Sequence, residues 1–227
     1  MIEIIATTYH DAIEIQAGGA DRIELVQALS EGGLTPSYGL IQAVIKGVNI
    51  PVNVMIRPHS DSFVYTQEEI ELMKKDIQIA KELGANGVVF GVLTPDNEIN
   101  ENHLKELLAV CDGLDVTFHR AIDETDVVES INLLSAYEQI TTVLTSGGIK
   151  TKIEDNINTL NLMAQQSAHI NILVGGGLNF DNISEILANV QTQHAHFGTA
   201  VRKASGVDRE LVKQLLLQRK EILSCGE

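Results

Sequence analysis

The sequence predicts an α/β fold with one domain over residues 1–227, a closed parallel (β/α)8 barrel of the TIM-barrel class, and three observations predict it. The length of 227 residues lies in the size range of a single barrel of this kind. Short runs rich in β-branched residues recur eight times, and most intervals between them carry helical periodicity. No linker, tail or low-complexity stretch interrupts this alternation, so we expect no domain boundary.

Each predicted strand is a short apolar or alternating run that suits a pleated, partly buried sheet. In chain order the strands are IEIIA at 2–6, RIEL at 22–25, VNVMI at 52–56, GVVFGV at 87–92, VTFH at 116–119, TTVLT at 141–145, INILV at 170–174 and HAHFG at 194–198. Because helical segments separate consecutive strands, we expect the strands to run parallel and to bring their carboxyl ends to one rim.

The clearest predicted helix covers residues 66–84, where apolar residues recur on one face. Thr66 suits the N-cap, Glu69 follows three residues later as in a capping box, and Gly84 ends the helix. Further helices are predicted at 37–47, 100–110 and 182–190, with a C-terminal helix at about 207–223. Residues 26–36 contain Gly-Gly and Pro, which predicts a loop.

Side chains on a barrel strand alternate with period two between the helix layer and the barrel axis. Assigning the apolar residues to the helix side sends Glu24, Arg57 and His119 toward the axis. Burying such groups unpaired costs several kcal/mol each, so they should meet one another or a ligand. The rim at the carboxyl ends of the strands, where barrel enzymes build their sites, is the expected place.

Four residues form the candidate catalytic set: Glu24, Arg57, His119 and Asp123. A carboxylate beside a guanidinium keeps its charge, and a histidine with a near-neutral pKa exchanges a proton at cellular pH. Such a set could orient a carbonyl or carboxylate substrate and move one proton. A structural ion-pair network that plugs the barrel top is the alternative, and sequence spacing does not choose between the two.

Glycine-rich turns follow the last three predicted strands, as TSGG at 145–148, VGGGL at 174–178 and FGTA at 197–200. Glycine lets backbone N–H groups approach an anion, and barrels frequently bind phosphate after strands seven and eight. Tight βα turns also use glycine without any ligand, so both interpretations stay open. The candidate anion-binding residues are Arg120, Ser146, Gly147, Gly148, Gly175, Gly176, Gly177, Gly198 and Thr199.

The formal net charge of −15, with no Lys/Arg cluster, argues against nucleic-acid and membrane partners because it repels phosphate backbones and anionic lipids. No apolar run reaches the roughly 18 residues of a membrane span, and no secretory signal pattern is present, so we expect a soluble, cytosolic protein.

Cys111 and Cys225 have neither zinc-site nor CxxC spacing, which excludes a disulfide framework. His194 and His196, two apart on the last strand, suit metal ligands or a buried hydrogen-bonded pair.

Several motifs, in chain order, resemble those of the CutC family, whose members are called copper homeostasis proteins. They are GGADRIEL at 18–25, EGGLTPS at 31–37, VMIRP at 54–58, VVFGVLTPD at 88–96, TFHRAID at 117–123, VLTSGG at 143–148 and GGGL at 175–178. The resemblance runs from about residue 9 to residue 200 and implies a cytoplasmic (β/α)8 barrel. The family-motif positions include Glu24, Arg57, His119, Arg120 and Asp123.

Copper is implied as a ligand by this resemblance alone. Family members often carry cysteine after the IEL motif, in the TSG turn and near the end of the last strand, where this chain has Val26, Gly148 and Gly198. Cu(I) prefers thiolate or thioether ligands, so we expect poor binding by that route. In the last strand, Phe197 occupies the family's histidine position and His196 precedes it, which points the imidazole to the other face.

The leading hypothesis is a CutC-like protein linked by its family to copper homeostasis and copper ion binding, with a polar anion-binding pocket at the rim. The alternative is an isomerase, lyase or hydrolase that acts on a small phosphorylated or carboxylated metabolite, and the sequence leaves open whether the chain is an enzyme. A regulatory protein that uses the barrel as a scaffold is a third hypothesis. The expected partner is a small anionic ligand or a metal ion, and a homo-oligomer is an open alternative.

Overall fold

The chain folds into the predicted barrel. In the computed structural model, which describes residues 1–148 and 152–224, eight strands close into a barrel in chain order. Each strand pairs in parallel with the next, and the first strand also pairs with the last, with Glu3 opposite His196. The predicted fold class is therefore confirmed.

All eight predicted strands are present, with ends that match the prediction or differ from it by one or two residues. Their bounds are β1 Ile2–Ala6, β2 Arg22–Leu25, β3 Val52–Met55, β4 Gly87–Phe90, β5 Asp115–Phe118, β6 Ile140–Thr145, β7 Asn171–Val174 and β8 His194–Phe197. The largest displacement is at β4, where residues 91 and 92 already belong to the loop. The carboxyl ends of the strands meet at one end of the barrel, as parallel pairing requires.

Eight α-helices alternate with these strands in the described part of the chain. Their bounds are α1 Tyr9–Gly18, α2 Tyr38–Gly47, α3 Gln67–Glu82, α4 Glu101–Leu108, α5 Val127–Leu134, α6 Ile157–Gln166, α7 Ile183–Asn189 and α8 Arg209–Ser224. The predicted capping box at the start of α3 is formed by Thr66 and Glu69. The predicted loop at 26–36 contains a short 3-10 turn, Leu29–Glu31, and an isolated antiparallel bridge between Gln27 and Leu34.

The last helix begins two residues later than its predicted start at 207. Before it, β9 Arg202–Lys203 and β10 Gly206–Val207 form a short antiparallel hairpin. The backbone N–H of Val207 donates to Asp11 Oδ1, which ties the hairpin to α1. A side chain at Gly206 would lie 2.5 Å from the same oxygen, so glycine permits this contact.

The period-two alternation divides the core into two parts. Val54, Val116 and Phe118 point outward into the large apolar core beneath the helices. A separate small cluster inside the barrel is formed by Ile5, Val26, Met55 and Val89. These interior residues alternate with the outward ones along the same strands, so the assignment of strand faces from sequence holds.

Of the two cysteines, Cys111 lies in the described part of the chain. Cys111 follows α4 and is buried, with its Sγ–H donating to the carbonyl of Leu107. Cys225 lies outside the described residues. Among the described helices, none combines the length and the apolar character needed to cross a bilayer.

Candidate functional site

A cavity of about 590 Å³ opens at the carboxyl-end rim of the barrel. All four residues of the candidate catalytic set line it: Glu24, Arg57, His119 and Asp123. Six of the candidate anion-binding residues line it as well, namely Arg120, Gly148, Gly176, Gly177, Gly198 and Thr199. Ser146, Gly147 and Gly175 are not part of its lining. Residues from different strands therefore share one mouth, as the alternation rule predicts.

Glu24 and His196 lie at the floor of this cavity, against β1. Nδ1 of His196 is 2.8 Å from Glu3 Oε1, and the guanidinium of Arg22 donates from Nε to Glu3 Oε2. On its other side, Nε2 of His196 is 3.8 Å from Glu24 Oε2, which is too far for a hydrogen bond. Glu24 Oε1 is buried and has no hydrogen-bond partner among the described residues. Both oxygens of the Glu3 carboxylate are thus paired, whereas the buried Oε1 of Glu24 is not.

The pKa values of the two floor carboxyl groups are shifted in opposite directions. Desolvation raises the pKa of Glu24 to about 7, and the nearby charge of Glu3 adds to the rise. Burial also disfavours the charge of Glu3, but Arg22 and His196 outweigh it and hold the Glu3 pKa below its usual value. For His196, the pull of Glu24 and Glu3 outweighs burial and raises the pKa of the imidazole.

His119 forms the wall of the cavity just after β5. Its Nδ1 accepts a hydrogen bond from the backbone N–H of Ala121, which leaves the proton of the neutral ring on Nε2. That Nε2 is buried and has no partner among the described residues. A Cβ at position 91 would lie 2.6 Å from His119 Nδ1, so Gly91 is what lets the ring pack there.

The expectation of a near-neutral pKa for His119 is wrong. Burial, followed by the positive charges of Arg57 and Arg120, lowers the pKa of His119 to about 3. The imidazole is therefore neutral at pH 7 and presents an Nε2–H donor. The ring is therefore not in the imidazolium form that a general acid needs at pH 7.

Arg57 enters the cavity wall without a carboxylate partner. Its guanidinium donates to the backbone carbonyls of Glu31 and Gly33 and to that of Ser60, and it stacks on the ring of Phe63 at 4.8 Å. Among the described residues, no carboxylate oxygen lies within the 4.0 Å that defines an ion pair. The ion-pair plug considered from the sequence therefore does not form between Arg57 and Glu24.

The carboxylate of Asp123, at the edge of the cavity, is hydrogen-bonded to the turn after β6. Its carboxylate accepts hydrogen bonds from Thr145 Oγ1, from the N–H and Oγ–H of Ser146, and from the N–H of Gly148. Arg120 Nε adds a further bond at 2.8 Å. Asp123 thus occupies the donors of the TSGG turn that the sequence offered as candidates for an external anion.

The remaining part of that turn is also used internally. The N–H of Gly147 donates to Thr145 Oγ1 at 2.8 Å, and Asn156 donates to the carbonyl of Ser146. Arg120 instead lies across the turn after β7, where a Cβ at Gly176 would be 2.7 Å from its Cζ. About half of the Arg120 side chain stays exposed, so its guanidinium still faces the mouth.

Sequence reasoning missed Glu3 as a site residue and did not find the partner of His196. The signal for Glu3 was present, because alternation in IEIIA sends Glu3 inward in the same way as Glu24. His196 pairs with Glu3 rather than with His194. His194 lines a separate depression together with Ser167 and Gln191.

Neither Cys111 nor the cavity lining suits Cu(I). Burial raises the pKa of the Cys111 thiol to about 12, and its Sγ bonds to a backbone carbonyl behind α4. At the cavity, Met55 is the described sulfur-bearing residue, beside the imidazoles of His119 and His196. Cu(I) prefers thiolate and thioether ligands in combination, and a lone thioether does not supply them.

Comparison with known proteins agrees with the fold and the motifs. The sequence model of the CutC family matches residues 1–201. The human copper homeostasis protein cutC homolog is 39% identical over 212 residues, which are 91% of this chain and 76% of that protein. A family protein CutC from Bacteroides thetaiotaomicron is 38% identical over 231 residues, covering 99% of this chain and 87% of its own length.

Solved structures also match this chain. The crystal structure of a protein named as copper homeostasis protein CutC from Streptococcus agalactiae matches with a TM-score of 0.83 and 33% identity, over 89% of this chain and 99% of that one. Thiamine phosphate pyrophosphorylase from Pyrococcus furiosus matches with a TM-score of 0.65 and 16% identity, over 98% and 96% of the two chains. At that identity the likeness concerns the barrel fold alone.

Proposed function

The chain belongs to the CutC family, and from that premise we propose that it binds a small phosphorylated or carboxylated anion in the cavity at the carboxyl-end rim of its barrel. Relatives carry names that refer to copper homeostasis. A cytoplasmic location, which rests on the family resemblance, belongs to the same proposal.

The observation that carries the proposal is the uncompensated charge of Arg57. The side chain is buried in the cavity wall, and its hydrogen bonds go to neutral carbonyl groups. A buried guanidinium without a counter-ion is unfavourable, because carbonyl dipoles replace only part of its hydration. An anion that enters the cavity would supply the missing charge.

A second donor supports the same ligand class. The Nε2–H of His119 is buried and unpartnered in the same cavity, and it can donate one hydrogen bond to an oxygen of the anion. Because His119 stays neutral, this donor does not depend on the protonation of the ring near pH 7. Arg120 at the mouth adds a further, partly exposed guanidinium.

The outer rim favours a small ligand over a large one. Glu31 and Glu124 are exposed at the edge of the cavity, and the whole chain carries a net charge of −15. This field repels polyanions, whereas a small anion can pass the rim and reach the guanidinium groups. The described donor set gives no support for direct transport of Cu(I) by this chain.

Calorimetric titration of the metal-free protein with inorganic phosphate, pyrophosphate and citrate tests the proposal in a buffer that holds no other anion of these classes. His119→Asn is the decisive variant, because its Oδ1 can keep the bond from the Ala121 N–H while the Nε2–H donor is lost. Arg57→Gln removes the buried charge. We expect each variant to lower the affinity for the best-bound anion by at least about tenfold.

Arg209→Gln is the matched control. It makes the same change in net charge as Arg57→Gln, but Arg209 pairs with Glu14 on α1, away from the cavity lining. We expect it to bind each anion as the unmodified chain does. No measurable binding by the unmodified chain, or equal binding by His119→Asn and Arg209→Gln, would overturn the proposal.

A further inference from the structure

The floor of the cavity holds a cluster that anion binding does not use. One carboxylate oxygen each of Glu3 and Glu24 and one ring nitrogen of His196 lie within 4.8 Å of one another, all on buried side chains. We propose that Glu24 and His196 bind a divalent transition-metal ion here, with Glu3 as the residue that orients the imidazole. This inference does not depend on the anion proposal, since it uses different residues.

The first support is the gap between the two ligand atoms. His196 Nε2 and Glu24 Oε2 are 3.8 Å apart, which is longer than a hydrogen bond but still close. Two ligands that each lie about 2.1 Å from one tetrahedral ion are about 3.4 Å apart. A shift of a few tenths of an ångström would therefore let both atoms coordinate a single ion.

The second support is an unsatisfied oxygen. Glu24 is 1% exposed, and its Oε1 makes no hydrogen bond within the described part of the chain. A buried carboxylate oxygen without a partner is costly, and native proteins leave few of them. Because Glu24 lines the cavity, its carboxylate group lies at the floor that an ion entering from the mouth would meet.

The third support is the arrangement behind the imidazole. Glu3 Oε1 accepts from the Nδ1 side of His196, and Arg22 fixes the other oxygen of Glu3. A carboxylate on one ring nitrogen directs the other nitrogen, with its lone pair, toward a metal, which is a common arrangement around metal-bound histidines. Glu3 is thus a positioning residue, and Glu24 and His196 are the direct ligands.

The donor chemistry defines the class of ion. One imidazole and one carboxylate suit Zn²⁺, Mn²⁺, Co²⁺ or Cu²⁺, whereas Cu(I) requires softer ligands and Ca²⁺ takes six to eight oxygens. Two protein ligands leave coordination positions open toward the cavity for water or for an oxygen of a bound anion. The Irving–Williams order places Cu²⁺ as the tightest of these ions at such a site.

The test is metal binding by the full chain, without any anionic ligand. Protein treated with a chelator and dialysed into a phosphate-free, citrate-free buffer is titrated with Zn²⁺ and with Co²⁺, and bound metal is counted by elemental analysis. We expect about one ion per chain and visible Co²⁺ absorption without a thiolate charge-transfer band. Cu(I), added under reducing conditions with a competing chelator, should not be retained.

Variants locate the ion. Glu24→Gln keeps the shape of the side chain and removes its charge, whereas His196→Asn keeps a donor for Glu3 and removes Nε2. We expect at least a tenfold loss of Zn²⁺ affinity in each. His194→Asn, on the same strand but at the other depression, is the matched control and should bind as the unmodified chain does.

The possible outcomes separate the two proposals. Failure of the unmodified chain to retain Zn²⁺ or Co²⁺, or equal affinity in Glu24→Gln and His194→Asn, would overturn the metal site. If His196→Asn does not fold, as judged by circular dichroism, Glu24→Gln alone decides. Anion binding is measured in metal-free protein with different variants, so either proposal can fail without the other.

Discussion

Replacing Asp123 by asparagine should destabilise the protein through the turn after β6. Asp123 is buried, and its two carboxylate oxygens accept from Thr145, from the backbone and hydroxyl of Ser146, from Gly148 and from Arg120. Asparagine keeps one acceptor oxygen and turns the other into an NH2 donor. Arg120 Nε and Ser146 Oγ both donate to Oδ2 of Asp123. If the NH2 group takes the place of Oδ2, these two donors face another donor.

The expected size follows from the number of lost bonds. Hydrogen bonds to a charged group contribute about 1.5–3 kcal/mol each. The bond from Arg120 is discounted because half of that side chain is exposed, whereas the bonds from Ser146 are buried. We therefore expect the free energy of unfolding to fall by about 2–4 kcal/mol, which corresponds to about 4–16 °C in melting temperature for a chain of this length.

Urea unfolding at pH 7.5, followed by circular dichroism, measures the change. Asp112→Asn is the matched control, because the Asp112 side chain is 99% exposed and lies 3.9 Å from Lys81. Its effect should stay below about 0.5 kcal/mol. A loss in Asp123→Asn of under about 1 kcal/mol, or one equal to that of the control, would show that the carboxylate does not organise the turn.

Two further predictions concern the wall and the rim of the cavity. Because burial lowers the pKa of His119 from 6.5 to about 3, the folded state binds fewer protons than the unfolded state between these values, and stability falls with falling pH. Between pH 7 and pH 5, the unfolding free energy of His119→Asn should therefore fall by about 2 kcal/mol less than that of the unmodified chain. An equal fall in the variant and in the unmodified chain would contradict the lowered pKa of His119. Gly176 has a φ of +88°, and its Cβ would lie 2.7 Å from Arg120, so Gly176→Ala should lower the unfolding free energy by about 1–3 kcal/mol. Gly39→Ala in α2, where an added Cβ meets nothing within 4 Å, should be neutral or stabilising in the same urea-unfolding assay, and equal effects of the two changes would refute the clash.

The sequence was sufficient to predict the barrel and the direction of its inward side chains. Strand and helix periods are local properties, and parallel strands in a closed barrel share one carboxyl-end rim. Glu24, Arg57 and His119 could therefore be assigned to one mouth without coordinates, and all three line the cavity. The capping box of Thr66 and Glu69 was equally local and was confirmed.

The partners of those side chains were decided only by the tertiary structure. Glu3 and His196 are 193 residues apart and meet because β1 closes the barrel against β8. Asp123 accepts hydrogen bonds from the turn after β6, for which the sequence left open both a bound anion and a turn without a ligand.

Charge states also depended on three-dimensional surroundings. Glu24 and His119 are both buried in the cavity lining, yet burial raises the pKa of Glu24 to about 7 and lowers that of His119 to about 3. Desolvation opposes whichever form is charged, and its size is set by atoms from many distant segments. A local pattern shows that an ionisable group points inward, whereas its partner and its protonation follow from how the barrel closes around it.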